Sequence, residues 1–143
     1  MREKTLNLLG LMRRANALVP GEDKAGDTVK AGKAKLLLLS ADISENARRR
    51  AEHLSEGRRV LTVPLPFDRE ELGAALGLGS CAMAAVTDPG FAKALAELLA
   101  AQWPEDFGTL AEETGRRLEK TRRRKAEKDG QRNKRIGKRR TNV

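Results

Sequence analysis

Two groups of residues in this sequence have the side-chain types that catalysis needs. Cys81 and His53 could act as a nucleophile and its base, and Gly77, Gly79 and Ser80 could form a phosphate-binding loop. However, nothing in the sequence places His53 near Cys81, and a small residue that opens a buried strand usually belongs to the core. The two glycines also lack the lysine and Ser/Thr of a phosphate-binding loop. We therefore predict that the protein is not an enzyme.

The single cysteine and single histidine also limit the structural chemistry. Cys81 cannot form an internal disulfide, and together with His53 it cannot supply the ligands of a zinc site. No apolar run approaches the roughly 20 residues that cross a bilayer, and the charged start MREK leads into an amphipathic stretch instead of a signal peptide. We expect a cytoplasmic protein without a metal or cofactor.

Positive charge is concentrated at the carboxyl-terminal end of the chain. Residues 1–114 contain 15 Lys/Arg and 17 Asp/Glu, whereas residues 115–143 contain 14 Lys/Arg and 3 Asp/Glu, a net charge of +11. This density of cations attracts nucleic acids, because each neutralised phosphate releases counterions. The predicted nucleic-acid-binding residues of this tail are Arg116, Arg117, Lys120, Arg122, Arg123, Arg124, Lys125, Lys128, Arg132, Lys134, Arg135, Lys138, Arg139 and Arg140.

The spacing of apolar residues predicts alternating helices and strands. The apolar run 35–40 is too short for a buried helix, and it indicates a strand covered on both faces, as in a parallel or mixed sheet. Short connections between alternating elements predict an α/β fold, a three-layer α/β/α sandwich with a small mixed sheet. The expected helices are at about 5–15, 22–31, 43–56, 69–76 and 89–102, and the expected strands are at 18–19, 35–40, 59–64 and 81–87.

Helix caps and a change in composition divide the chain. Asp42, Asp68 and Asp88 each precede a predicted helix as its N-cap. After the last of these helices, residues 103–114 are expected to be a linker between a domain at 1–102 and the basic tail at 115–143. Since Leu110 and Leu118 are nearly the only large apolar residues after residue 108, we expect the tail to change from helix to disorder.

The stretch GEDKAGDTVKAGKAKLLLLSADI at residues 21–43 resembles the signature of the L7Ae family, the kink-turn RNA-binding ribosomal proteins, and especially its bacterial ribosome-associated branch. The similarity also covers NLLGLMRRAN, REELGAALG and AAVTDPGFAKAL, so it extends over residues 5–99 and leaves the basic tail outside. The family pattern is matched without a gap at Gly21, Gly32, Ala34, Leu36 and Asp42.

The resemblance implies an RNA site formed by the start of the second helix and the loop before the last strand. Free backbone N–H groups at Gly21, Glu22 and Asp23 can face phosphates, while side chains of the first turn reach exposed guanines. The resemblance also makes RNA, rather than DNA, the expected partner of the tail. The residues assigned to the site are Gly21, Glu22, Asp23, Lys24, Asp27, Lys30, Lys33, Leu78, Gly79, Ser80 and Cys81.

Three residues depart from the family pattern on this helix. Asp23, Lys24 and Asp27 stand where the family usually has asparagine, glutamate and lysine. Asp23 has lost an amide donor, and the carboxylate of Asp27 repels RNA. Lys24 and Asp27 are expected to form an i, i+3 pair, and Lys30 and Lys33 are expected to contact phosphate from the same side. RNA affinity is therefore expected to survive with altered selectivity.

Three features also have plain structural interpretations. The stretch GEDKAGD could be only a capped helix start. Gly26 inside the helix could reflect either the close approach of a ligand or simple tolerance, because glycine costs only about 1 kcal/mol there. The cations Arg48, Arg49 and Arg50 cannot share one helix face, and solvation is the better interpretation for them.

The leading functional prediction is non-catalytic binding of structured RNA, a kink-turn-like motif or rRNA, by a ribosome-associated monomer. The absence of tyrosine and the presence of only three phenylalanines argue against modules that stack single-stranded bases. The main alternative is a protein-interaction or ribosome-assembly module with only non-specific nucleic-acid contact through its tail. A third possibility is an accessory domain that presents RNA to a catalytic partner.

Overall fold

The computed structural model describes the backbone of residues 2–141 and the side chains of residues 2–130. In the described residues a four-stranded sheet has the order β1-β4-β2-β3, in which β4 is antiparallel to both neighbours and β2 is parallel to β3. The mixed sheet predicted from the sequence is therefore confirmed. The elements are α1 (Arg2–Arg14), β1 (Leu18–Pro20), α2 (Glu22–Lys30), β2 (Leu36–Leu39), α3 (Glu45–Ser55), β3 (Leu61–Pro64), α4 (Arg69–Ala75), β4 (Met83–Val86), α5 (Pro89–Gln102) and α6 (Pro104–Thr141).

The leucine run of β2 holds the three layers together. All four of its residues are buried, and successive side chains of a strand point to opposite faces. Leu36 and Leu38 pack in the cluster that includes α1, α4 and α5, whereas Leu37 and Leu39 pack with α2 and α3. This arrangement confirms the predicted α/β/α sandwich. Shortening Leu38, which is fully buried, to alanine would cost about 2–5 kcal/mol.

Two of the three predicted N-caps are confirmed, and the third is wrong. Asp68 forms a complete capping box, and Asp88 accepts a hydrogen bond from the Gly90 N–H with proline at the first turn. Helix α3 is instead capped by Ser44, whose hydroxyl accepts from the Ala47 N–H at 3.2 Å. Asp42 lies two residues earlier and accepts from the N–H of Arg69 at 2.9 Å, so it satisfies the first turn of α4.

The region after residue 102 differs from the expected linker and disordered tail. A single helix, α6, runs from Pro104 to Thr141. Helix α6 packs on α5, and Phe107, Thr114 and Leu118 in its first half are all less than 10% exposed at 8%, 4% and 7%. The Thr114 hydroxyl donates to the backbone carbonyls of Leu110 and Ala111, so this polar side chain is buried with its hydrogen-bond donor satisfied. Few large apolar residues of α6, chiefly Phe107 and Leu118 with the partly buried Leu110, therefore contact the domain.

Among the helices of the described residues, none combines the length and the apolar character needed to span a membrane.

Candidate nucleic-acid interface

The fold brings the start of α2 next to the loop before β4. Pro20, the last residue of β1, pairs with Ala84 of β4, and the Gly21 N–H donates to the Met83 carbonyl at 2.9 Å. The loop residues 78–81 come directly before this contact. The two segments that the resemblance assigned to one RNA site therefore lie at the same edge of the sheet, although 57 residues separate Gly21 from Leu78 in the sequence.

Gly21 shapes the start of α2. Its φ of 104° lies in the left-handed region, and a Cβ built there would have no heavy atom within 4 Å. As the N-cap it provides no side chain to the first helical turn. Because the Gly21 N–H is bonded to Met83, the N–H groups that lack an intrahelical acceptor are those of Glu22, Asp23 and Lys24, one residue later than expected.

Two glycines allow α4 to pack closely against the loop before β4 and against α1. A Cβ at Gly73 of α4 would lie 2.7 Å from both Cα and N of Ser80, and a Cβ at Gly10 of α1 would lie 2.7 Å from the Ala75 carbonyl oxygen. Real Cβ atoms do not approach so closely, so only glycine permits these backbone contacts. Both glycines occur in stretches that carry the family resemblance, but their spacing alone did not indicate this role.

Arg13 also positions the loop, a role that no local pattern in the sequence indicates. Its guanidinium donates to the carbonyl of Leu76, the C-cap of α4. Gly77 follows with φ of 74°, which turns the chain into the loop. Arg13 lies in the last turn of α1, and its hydrogen-bond partner lies 63 residues further along the chain.

Cys81 is an internal anchor of the loop. Its side chain is only 5% exposed, and Sγ donates to the Met83 carbonyl at 3.3 Å. Burial raises the pKa of the Cys81 thiol, although the backbones of Gly21 and Met83 and the charge of Arg13 oppose the increase. The exposed part of the loop is formed by Gly79 and Ser80, with Leu78 half-buried beside them.

His53 and Cys81 are not arranged for catalysis. His53 is exposed on α3, where Nδ1 lies 3.6 Å from Glu56, while Cys81 is buried in the cluster on the opposite face of the sheet. The predicted absence of this nucleophile and base pair agrees with their placement in different layers.

A groove of about 680 Å³ runs between α2 and α3 from the candidate site. Its charges are balanced, since three carboxylates and three Lys/Arg side chains line it together with His53. Glu22 forms an ion pair with Arg50, whose Nη1 lies 2.8 Å from Glu22 Oε1. The lining residues are Glu22, Asp23, Gly26, Asp27, Lys30, Arg49, Arg50, His53 and Leu54.

Two expectations for α2 are changed by the structure. Among the ion pairs of the described residues, none joins Lys24 to Asp27, and both side chains are exposed. Gly26 is buried, and a Cβ there would lie 3.5 Å from Leu54, an ordinary contact, which favours simple tolerance of glycine. The packing of α2 on α3 therefore explains Gly26.

Lys30 and Lys33 do not lie beside the free N–H groups. Helix α2 has nine residues and is about 13 Å long, and Lys30 is its last residue. Lys30 still lines the groove, whereas Lys33 follows the turn at Gly32 and lies near the beginning of β2, at the opposite edge of the sheet. The expectation that both contact phosphate from the same side as Asp23 is wrong for Lys33.

The cations of α6 belong to two groups. Arg116 and Arg117 form ion pairs with Glu113, and Arg123 forms an ion pair with Glu119 at 2.9 Å. The cations Lys120, Arg122, Arg124, Lys125 and Lys128 are exposed. The side chains of Arg132, Lys134, Arg135, Lys138, Arg139 and Arg140 lie outside those that the structure describes.

Comparison with known proteins gives sequence relatives over most of the domain. The protein of Bacillus subtilis (strain 168) named RNA-binding protein YlxQ is 37% identical over 94 residues, which are 64% of this chain and 91% of that protein. A protein of the same name from Enterococcus faecium is 32% identical over 98 residues, 68% of this chain and 93% of that protein.

Solved structures share the fold. A protein of unknown function from Bacillus halodurans C superposes with a TM-score of 0.63 at 30% identity, over 67% of this chain and 96% of that one. The 15.5 kD RNA binding protein of Giardia lamblia has a TM-score of 0.56 over 73% of this chain and 85% of its own, and its 21% identity indicates the fold alone. A family model matches residues 3–96, so the chain belongs to the ribosomal protein L7Ae/L30e/S12e/Gadd45 family, as the resemblance predicted.

Proposed function

We propose that this protein binds structured RNA without catalysing a reaction, through the start of α2 and the loop before β4. One observation carries the proposal. Three backbone N–H groups without an intrahelical acceptor lie at the same edge of the sheet as the exposed residues Gly79 and Ser80. Relatives named as RNA-binding proteins support this class of ligand. The matched region of the family, residues 3–96, includes both segments.

Each part of the site has a distinct task in this proposal. The N–H groups of Glu22, Asp23 and Lys24 bind a phosphate at the positive end of the α2 dipole, and the Lys24 ammonium adds a charged contact. The Asp23 carboxylate accepts hydrogen bonds from the N–H edge of an unpaired guanine. A splayed-out nucleotide packs on Leu78, Gly79 and Ser80, while buried Cys81 holds the loop.

An irregular RNA helix such as a kink turn offers these groups together, whereas a regular duplex keeps its guanine edges paired. We accordingly propose a kinked segment of rRNA or another structured RNA as the ligand, bound by a monomer in association with ribosomes in the cytoplasm. The exposed carboxylates of Asp23 and Asp27 favour a second candidate, a protein-interaction or assembly module, because they repel phosphate. In that case only α6 contacts nucleic acid.

The proposal is tested by binding full-length protein to a kink-turn RNA and to a plain duplex of equal length over a salt series. We expect the wild type to prefer the kinked RNA by at least about tenfold, about 1.4 kcal/mol. Gly21→Ala should abolish the preference, because alanine at φ of 104° strains the start of α2.

Gly57→Ala is the matched control, since Gly57 also has positive φ, at 69°, and open space around it, but lies after α3. This variant should keep the preference for the kinked RNA. Equal binding of both RNAs by the wild type would reject the specific site and favour the assembly module.

A further inference from the structure

A second cleft lies at the opposite edge of the sheet from the start of α2. Lys35 directly precedes β2, and Arg59 lies two residues before β3 in the segment that leads into it. Helix α6 passes over this edge and encloses a cleft of about 410 Å³. The four-residue strands, about 13 Å long, separate the two edges. The cleft is therefore separate from the candidate site at α2.

Five cations and one carboxylate line this cleft, which we name the α6 cleft. The cations are Lys35, Arg59, Arg117, Lys120 and Arg124, and the carboxylate belongs to Glu113. Hydrogen bonds from Arg116 and Arg117 lower the pKa of Glu113 to about 2. Glu113 is therefore ionised at neutral pH and is already occupied by two guanidinium groups.

The other four cations have no such partner. Among the described residues, no carboxylate lies within 4.0 Å of Lys35, Arg59, Lys120 or Arg124. Like charges gathered around a concave surface repel each other, and they concentrate the field on an anion that enters. The α6 cleft thus has the charge of a site for a polyanion.

The position of α6 over the sheet edge is fixed by packing. Phe107, Thr114 and Leu118 of α6 are buried, Thr114 lines the cleft, and the Arg117 guanidinium donates to the backbone carbonyl of Arg59. Arg117, Lys120 and Arg124 have i, i+3 and i+7 spacing, so one face of α6 directs them toward Lys35 and Arg59. The position of the cleft is therefore fixed by the packing of α6 on the domain and by a hydrogen bond to the backbone.

We propose that the α6 cleft binds consecutive phosphates of an RNA duplex backbone, so that one molecule joins two RNA segments at opposite edges of its sheet. The inference rests on the proposed function only for the choice of RNA as the polyanion. The matched region of the family ends at residue 96, before α6 begins, so the α6 wall of the cleft lies beyond that region, whereas Lys35 and Arg59 lie within it.

The experiment compares full-length variants that each remove two charges. Lys120→Gln with Arg124→Gln changes the cleft, and Arg122→Gln with Lys125→Gln removes the same charge from other faces of α6. For a plain RNA duplex, we expect the cleft pair to lower affinity at least tenfold and to reduce the slope of log affinity against log salt by about 2, since each lost phosphate contact removes about 1. The control pair should lower affinity less than about threefold, because it meets only the diffuse field.

A variant of Lys35 and Arg59, the cations that face α6 across the cleft, tests whether the two walls of the cleft bind the same RNA. Lys35→Gln with Arg59→Gln should also lower duplex affinity about tenfold. When this pair is combined with the cleft pair, the fold-loss in affinity should be smaller than the product of the two separate fold-losses, because the walls share one ligand.

Equal losses in the cleft and control pairs would overturn the cleft as a site. A DNA duplex that binds as tightly as RNA of the same sequence would overturn the assignment to RNA. Loss of kink-turn preference in Gly21→Ala, with duplex affinity intact, separates this inference from the proposed function.

Discussion

The two edges of the sheet differ in the interactions they offer to RNA. At the start of α2, three backbone N–H groups and a closely packed loop form a shaped surface, but the adjoining groove has as many carboxylates as Lys/Arg cations. At the α6 cleft, five cations face one occupied carboxylate, and few groups define a shape. In the function we propose, the first edge determines which RNA is chosen and the second determines how tightly a phosphate backbone is held.

The largest effect should come from undocking α6. Leu118 is 7% exposed at the interface with α5, so Leu118→Ala should lower the free energy of unfolding by about 2–4 kcal/mol. It should weaken duplex binding, because α6 no longer closes the cleft, while the ratio of kink-turn to duplex affinity rises. Chemical denaturation and binding to both RNAs measure these effects. A fall in that ratio would contradict the division between the two edges.

A smaller effect is expected from Gly73→Ala, which acts only on the first edge. The new Cβ would lie 2.7 Å from the Ser80 backbone, so the loop must move at a cost of about 1–3 kcal/mol. Kink-turn preference should disappear while duplex affinity stays within about twofold, about 0.4 kcal/mol.

The control for this variant is Gly108→Ala, where nothing lies within 4 Å of the added Cβ. It should raise stability by about 0.5–1 kcal/mol, because glycine is unfavourable inside a helix. Retention of kink-turn preference in Gly73→Ala would show that the loop is not part of the RNA site.

The smallest effect should follow Glu113→Gln, which removes the one carboxylate of the α6 cleft. Duplex affinity should increase about twofold to threefold, about 0.4–0.7 kcal/mol, with a steeper salt dependence. Since the pKa of Glu113 is lowered to about 2, the wild type should not reproduce this increase when the pH falls from 8 to 5. Fluorescence anisotropy measures both. An unchanged affinity in Glu113→Gln would place the bound phosphates away from Glu113.

Local patterns predicted the framework well. The leucine run of β2 indicated a strand buried on both faces, and Asp68 and Asp88 indicated helix starts, because periodicity and capping depend on residues within a few positions. The place of the candidate RNA site was implied by the resemblance, which linked Gly21 to the loop at 78–81.

Contacts between distant parts of the chain could not be predicted in this way. The partner of Asp42 is the Arg69 N–H, 27 residues away, and Arg13 donates to a carbonyl 63 residues away. The buried face of α6 was not predicted, because it includes few large apolar residues and because Thr114 can be buried when its hydroxyl donates to the Leu110 carbonyl of the same helix. The meeting of Lys35 and Arg59 with α6 follows from that docking, so it too was outside the reach of the sequence.

The central claim, that the first edge holds the RNA selected by this protein, is tested most directly by amide chemical shifts during titration with a kink-turn RNA. We expect the N–H signals of Glu22, Asp23 and Lys24, together with those of Gly79 and Ser80, to shift and to saturate at one RNA per protein. Signals of α3 residues far from both edges should remain unchanged. Saturation with shifts confined to α6 would contradict the claim.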